Sequence, residues 1–376
     1  MEKLPIGSGH ELASKRREAI LPALEVKNTV IWKNPAFPEL PFNIQLGKQT
    51  PLGVFFTANP AVYTNEKVRT PAIMPEYQKG RSGLMGSVVF QDREGHLWRD
   101  VDAKGIGHVE GKKILPVSQE ASMGDSRKYL GLCDYEFAER DRNYSEKFLK
   151  AGIRTHRVVA IIDLEELIDE TGGKISLDET RKRNIIGEDM HPVIQVRAFG
   201  TKERIDYLRS EDNSDPARPK MAFQDAKALV AQERGIPPKN FSDKQYLAWF
   251  AETLGQQVAK IRKLDLYHGY LSPHNITLDC RIVDLDSVAT TKEHLLSEDR
   301  EGLSANDLYT LDLDEAGQSL NVLHRVVRDL SPNLPVRAED LIALYIKSYE
   351  AELSRRGQKR QHSTLKKKPQ KKKSAT

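Results

Sequence analysis

The feature that most constrains this chain is a change of hydrophobic period partway along it. Before about residue 210 the apolar residues fall in short runs: Ser87–Phe90, His96–Val101, Val158–Ile162 and Val193–Val196. Beyond it they recur at three- and four-residue steps, as Tyr246, Leu247, Phe250, Leu254, Val258, Ile261 and Leu264. Two further stripes follow, Leu320–Leu330 and Leu341–Tyr349. Short apolar runs build strands, and a period near 3.6 builds amphipathic helices. The chain is therefore predicted to be α+β and two-lobed, with a β-rich N-lobe, a helical C-lobe and a cleft between them. Asp92–Gly95 reads as a hairpin turn, and Glu136–Lys150 as a helix closed by Gly152 in the C′ position. The polar stretch Ser210–Pro219, with two prolines, suits a hinge or surface loop. The boundaries expected are a wrapping segment with short strands at 1–65, the strand-rich lobe at 66–209, the helical lobe at 210–354 and a tail at 355–376.

Composition narrows the class further. No stretch of about 18 uncharged apolar residues occurs, so no membrane span is expected. Glu2, Glu11, Glu18 and Glu25 interrupt the first thirty residues, which argues against a secretory signal. Cys133 and Cys280 are the only thiols, too few for a disulfide framework, and a reducing, cytoplasmic setting is expected. Residues 355–376 hold ten Lys or Arg and no acid; removing those ten charges from the net +4 leaves the body at −6. An acidic body argues against a basic nucleic-acid groove. The Lys-rich tail reads as a solvated end, with nuclear import or a tether to nucleic acid or an anionic surface as its other uses.

Three segments carry candidate chemistry. Tyr267–Asn275 is a polar loop after a helix, and a small hairpin returns Asp284 nine residues after Asn275. An amide oxygen beside a carboxylate suits a hard cation holding nucleotide phosphates. Protein kinases use comparable parts, but Tyr270 stands where their catalytic Asp would be. The competing reading is an ordinary loop and turn. Gly80, Arg81, Gly83 and Gly86 precede the Val88 strand as a glycine loop that could let backbone N–H groups reach phosphate oxygens, with a plain turn as the alternative. Lys104, at the end of the next strand and followed by Gly105, is placed to neutralise phosphate. Arg197 and Arg204, seven residues apart around a Phe199–Gly200 turn, could grip a phosphate together. His10, His96, His108 and His191 show no zinc spacing, and Ser8, Ser82 and Ser272 lack a nucleophile-elbow frame, so serine hydrolase chemistry is discounted.

Taken in order, these segments resemble the selenoprotein-O family of kinase-fold protein adenylyltransferases. K-G-R-S-G-L-M-G-S-V at Lys79–Val88 is similar to that family's D-G-R-A-x-L-x-G-E-V. Trp98 through Lys104-Gly105-Ile106-Gly107 resembles its W-x-x-x-x-K-G-x-G with one extra residue, and Gly124-Asp125-Ser126-Arg127 resembles its G-D-G-R. Ala151–Arg157 resembles L-G-I-P-T-T-R, the Arg197–Arg204 spacing matches its arginine pair, and His268-Gly269 through Asn275 to Asp284 resembles H-G-x-x-x-x-D-N with its following Asp. The resemblance covers about Gly80 to Asp286.

It implies a kinase-like fold that binds ATP in a flipped orientation and transfers AMP to a hydroxyl of a protein substrate. Lys104 would neutralise phosphates, with Gly80, Arg81, Gly83, Gly86, Gly105, Asp125 and Arg127 around the nucleotide. Arg197 and Arg204 would hold the γ-phosphate, and Asn275 and Asp284 would ligate Mg²⁺ or Mn²⁺. Asp141 would pair with the lysine, with Glu139 and Glu136 as alternatives. His274 replaces the family's Asp as the candidate base. Asp286 stands where the family has Gly and adds a carboxylate, and the terminal cysteine pair of some relatives is absent, so their redox control is not expected. An inactive ATP-binding pseudoenzyme acting through partners, a kinase-like phosphotransferase and a tail-driven nucleic-acid binder are the competing readings.

Overall fold

β-Branched residues dominate Val158–Ile162 and Val193–Val196, and both runs become central strands that are buried on both faces. The computed structural model describes residues 18–40, 42–57, 72–75, 79–110, 113–115, 131–209, 217–295 and 302–355. Its strands are β1 (Glu18–Leu21), β2 (Ala23–Glu25), β3 (Asn28–Lys33), β4 (Val54–Phe56), β5 (Ala72–Pro75), β6 (Lys79–Gln91), β7 (Leu97–Glu110), β8 (Lys113–Leu115), β9 (Cys133–Asp134), β10 (Arg157–Leu164), β11 (Glu166–Ile168), β12 (Lys174–Ser176), β13 (Pro192–Phe199), β14 (Leu266–Tyr267) and β15 (Ala289–Thr290). Nine of them form one antiparallel sheet in the order β1-β5-β6-β7-β13-β10-β3, with β8 beside β7 and β9 beside β13.

Helix α1 (Tyr135–Lys150) starts at Asp134, whose carboxylate accepts the Glu136 N–H at 3.1 Å, and ends at Gly152 with φ of +71°. Its buried Ala138 packs with Val158, Ile161 and Val193 on one face of the sheet. The other face is closed by Val54, Phe55, Phe56, Trp98 and Ile194. After α2 (Leu177–Lys182) come α3 (Ala217–Glu233), α4 (Asp243–Lys263), α5 (Thr291–Leu295), α6 (Ala305–Leu330) and α7 (Ala338–Ser354). A capping box at Ser242 and Gln245 starts α4, and its apolar stripe meets Leu320, Leu323 and Tyr345 in a second core. The α+β class is thus as expected, with a sheet-rich N-terminal region and a helical C-terminal part. Among the described residues no helix is long and apolar enough to cross a membrane.

Several local expectations need correction. Gly80–Gly86 is not a loop: it lies within β6 and pairs with β7 from Lys79 to Gln91, with bulges. Leu84 and Met85 are buried there, and a Cβ on Gly86 would lie 3.1 Å from Phe42 Cζ, so long-range pairing outweighs the turn signal of the glycines. Lys104 likewise sits inside β7 rather than at a strand end. In the 1–65 segment, β3 pairs with β10 and β1 with β5, so this segment contributes to the main sheet rather than only wrapping it. Pro219 lies in the first turn of α3, where proline's missing N–H costs nothing, so the polar stretch is partly helical.

Gly105 adopts φ of +97°, and a Cβ there would stand 2.5 Å from the Val193 carbonyl oxygen and 2.8 Å from Cys133 Cβ. Gly105→Ala is expected to cost about 3 kcal/mol of stability, at the upper end for left-handed strain because backbone blocks the added carbon. A denaturation midpoint within about 0.5 kcal/mol of wild type would contradict that close contact.

Candidate phosphate-binding crevice

Cross-strand register aligns the charged residues before any contact is counted. Lys104 pairs with Ser82 on one side and Gln195 on the other; two residues along, Asp102 pairs with Leu84 and Arg197. Paired residues share a face of the sheet, so Ser82, Lys104, Gln195, Asp102 and Arg197 point the same way. The helical part reaches this face through a short hairpin. Ile276 bridges Ile282, Thr155 of the sheet region bridges Ile282, and Arg204 bridges Thr277. The Val283 N–H donates to the Asn275 carbonyl at 3.0 Å, closing the hairpin and delivering Asp284 beside Asn275 as predicted from sequence.

Asp284 is the centre of the cluster. It takes the left-handed φ of +58°, which turns its carboxylate back toward the sheet. Arg204 Nη1 donates to Oδ2 at 2.9 Å, Arg197 Nη1 to Oδ1 at 3.1 Å, and Lys104 Nζ lies 3.6 Å from Oδ1. Lys104 also donates to Asp286 at 3.2 Å, and Arg81 lies 3.7 Å from that carboxylate while donating to the Leu132 carbonyl at 2.6 Å. Arg197 grips Asp102 through Nε and Nη2 at 2.9 and 2.7 Å. Lys202 Nζ is 3.3 Å from Asp102 and donates to Ser82 Oγ at 3.2 Å.

Burial alone would push the carboxyl pKa of Asp284 up, but Arg204, Lys104 and Arg197 together hold it well below the usual range. Burial likewise opposes the charge on Lys104, yet Asp286 and Asp284 prevail and raise its pKa. Lys202 is the exception. Burial pushes it down, Asp102 restores only part, and Arg197 and Arg204 add to the depression. Asp286, which the sequence adds to the cation site as an extra carboxylate, lies in the cluster as the partner of Lys104, whereas Asp102, Lys202 and Ser82 are not predicted there. Nothing local marks them; only the register and the long side chains bring them in.

The other predicted residues are placed as follows. Asn275 Oδ1 lies 3.4 Å from the same Arg204 nitrogen that holds Asp284, so the two predicted metal ligands converge on one cationic atom. Arg197 and Arg204 do converge, but Arg197 stands on β13 rather than in a loop. His274 is beside the cluster with a side chain 65% exposed, its Nδ1 3.2 Å from Asp206. Asp141 does not pair with Lys104, a correction to the expectation. It is buried, accepts Gln195 Nε2 at 2.8 Å, contacts His156 Nε2 at 2.9 Å and accepts the Leu285 N–H at 3.0 Å. Against the upward push of burial, His156 and its hydrogen bond hold the Asp141 pKa at about 2. The acid therefore fixes the backbone next to Asp284, and Asp286 is the lysine's partner. Of the alternatives, Glu139 binds Tyr135 and Arg142, and Glu136 is exposed. Gly80, Gly83 and Gly86 line β6, and Asp125 and Arg127 lie outside the described residues.

The loop before Asn275 is clamped from α6. Asp312 accepts the N–H groups of His268 and Gly269 at 2.8 and 3.0 Å, and Glu315 accepts that of Leu271 at 2.7 Å. The His268 ring is buried, with Nε2 3.1 Å from the Val283 carbonyl. Burial lowers its pKa to about 4, so the folded chain keeps it neutral. Between about pH 6.5 and 4 the unfolded chain binds this proton and the folded one does not, so stability falls as pH drops through that window. The loss is about 3 kcal/mol, complete below the folded value. A His268→Gln variant is expected to show a flatter stability profile there; parallel profiles would contradict a buried neutral ring.

Asp92, Glu94 and His96 form a cluster with metal-like spacing at the β6–β7 turn. Arg157 Nη1 already sits 2.6 Å from Asp92 and 2.7 Å from Glu94, and Trp98 Nε1 donates to Asp92 at 3.0 Å, so a guanidinium and an indole fill the cluster. No family model matches this sequence, and no curated protein matches it.

Proposed function

We propose that the crevice binds the triphosphate of ATP and that the protein is a divalent-metal-dependent protein adenylyltransferase, transferring AMP to a hydroxyl of a protein substrate, on a kinase-like two-lobed fold. One observation carries the reading: five cationic side chains, Arg81, Lys104, Arg197, Lys202 and Arg204, surround three carboxylates, Asp102, Asp284 and Asp286, leaving two positive charges in surplus in a largely buried site. Uncompensated buried charge is costly, and a polyanion relieves it. The Nε of Arg204 is buried without a partner, a further donor facing the same need.

The donor set also fits a hard cation. Asn275 Oδ1 and Asp284 Oδ2 meet at one Arg204 nitrogen, and these oxygens would hold Mg²⁺ or Mn²⁺ once a phosphate draws the guanidinium away. The ion when bound supplies positive charge for the phosphates. Lys104, Arg197 and Arg204 are arranged to stabilise negative charge developing on a pyrophosphate leaving group. His274 is oriented through Nδ1 by Asp206, which supports Nε2 as the base for an incoming hydroxyl. A second reading, a nucleotide-binding pseudoenzyme, draws on Asp284 being shared by Lys104, Arg197 and Arg204.

The test is parallel labelling of protein acceptors with α- and γ-labelled ATP. Transfer of the α-label alone is expected. Transfer of the γ-label would replace the reading with a phosphotransferase, and nucleotide binding without transfer would favour the pseudoenzyme.

A further inference from the structure

Resting on the triphosphate reading above, we infer that Arg204 stands in for the divalent ion in the free chain and keeps the metal site shut. A polyphosphate opens the site by drawing the guanidinium off. Three oxygens converge on one nitrogen: Arg204 Nη1 lies 2.6 Å from the His274 carbonyl, 2.9 Å from Asp284 Oδ2 and 3.4 Å from Asn275 Oδ1. Among the described residues Arg204 is the only donor to the His274 carbonyl, so this backbone oxygen joins the two side chains already assigned. A carboxylate, an amide oxygen and a backbone carbonyl are the donor set of a hard cation.

The arginine fits this place imperfectly from both sides. Nη1 has two hydrogens to give to three oxygens, so the oxygens outnumber what it can donate. Its own Nε is buried without a partner. A phosphate oxygen would satisfy that donor through a charge-assisted hydrogen bond, while the three oxygens would be left free for a cation. An exchange of partners therefore improves the bonding of both groups.

Charge sets the order of events. Asp284 is already shared by Arg204, Arg197 and Lys104, and the next carboxylate, Asp286, is held by Lys104 at 3.2 Å. Two more positive charges placed there with no added anion would meet strong repulsion in a largely buried site. A triphosphate brings compensating negative charge and gives Arg204 a new partner, so metal enters with the nucleotide or after it. The coupling is reciprocal: the factor by which nucleotide raises metal affinity is the factor by which metal raises nucleotide affinity.

The experiment titrates the full chain with Mn²⁺ alone and follows water proton relaxation, which responds when the ion joins the protein. Wild type is expected to bind about 10–100-fold more weakly than Arg204→Met, and adding Asp284→Asn to that variant is expected to remove the gained site. In a second arm the unsubstituted chain receives α,β-methylene-ATP, which cannot transfer AMP, and protein-bound Mn²⁺ is expected to appear without any substitution. Equal Mn²⁺ affinity in wild type and folded Arg204→Met would overturn this inference alone. So would an analogue that binds by calorimetry yet recruits no Mn²⁺ to the protein. An analogue that does not bind at all would overturn the triphosphate reading with it.

Discussion

Arg281→Met is expected to destabilise the fold by about 3–5 kcal/mol, the range for breaking a buried ion pair from one side. Arg281 fastens the hairpin to the sheet. Its Nη1 and Nη2 donate to the Thr155 and Leu97 carbonyls, both at 3.1 Å, its Nε holds Asp279 at 2.7 Å, and Nη2 reaches Glu233 at 3.2 Å. The guanidinium also stacks 4.6 Å from the Trp98 ring centroid. Methionine keeps much of the volume, so the loss comes from the buried Asp279 carboxylate and two unpaired carbonyls, with Arg154 recovering part through Glu233 and Asp279. Because the same hairpin carries Asn275 and Asp284, the variant should lose nucleotide binding in step with stability. A denaturation midpoint within about 1 kcal/mol of wild type, at unchanged slope, would contradict the fastening role.

Asp284→Asn is expected to lower α-label transfer by about 10³-fold while leaving metal-free nucleotide binding intact or stronger. The two effects have one cause. The carboxylate is the anion that Arg204, Arg197 and Lys104 share in the free protein, so its removal adds a third surplus positive charge. In the proposed function it is also one of the two side chains, with Asn275, that would hold the divalent ion. Binding of ATP in chelator and transfer in Mg²⁺ are separable measurements. Loss of both together would show that Asp284 organises the crevice rather than serving the ion.

The parts of the site that were legible in the sequence are those fixed by short-range geometry. A two-stranded return from Asn275 to Asp284 needs only a tight turn, supplied at Cys280 with φ of +58°, and the helix ending at Gly152 follows from glycine's freedom at positive φ. The three apolar stripes became α4, α6 and α7 because an amphipathic face has few alternatives to burial. What was not legible depends on register. Glycines at 80, 83 and 86 read as a loop, and only pairing with β7 makes them strand. Asp102 enters the crevice because β7 and β13 align it with Arg197, and no local pattern announces that. Asp141 lies on the helix the sequence predicts, but its partners are Gln195, His156 and the Leu285 N–H, which reach it from three separate segments. The same holds for Asp312 and Glu315: each lies more than forty residues from the loop it clamps.

The central claim, a triphosphate held among Lys104, Arg197 and Arg204, is tested most directly by isothermal titration calorimetry of the chain with ATP in the presence of Mg²⁺. One binding site is predicted, weakened at least about tenfold in Lys104→Met and again in Arg204→Met, since each removes a charge-assisted contact. No heat with any nucleotide, or equal affinity in all three proteins, would contradict it.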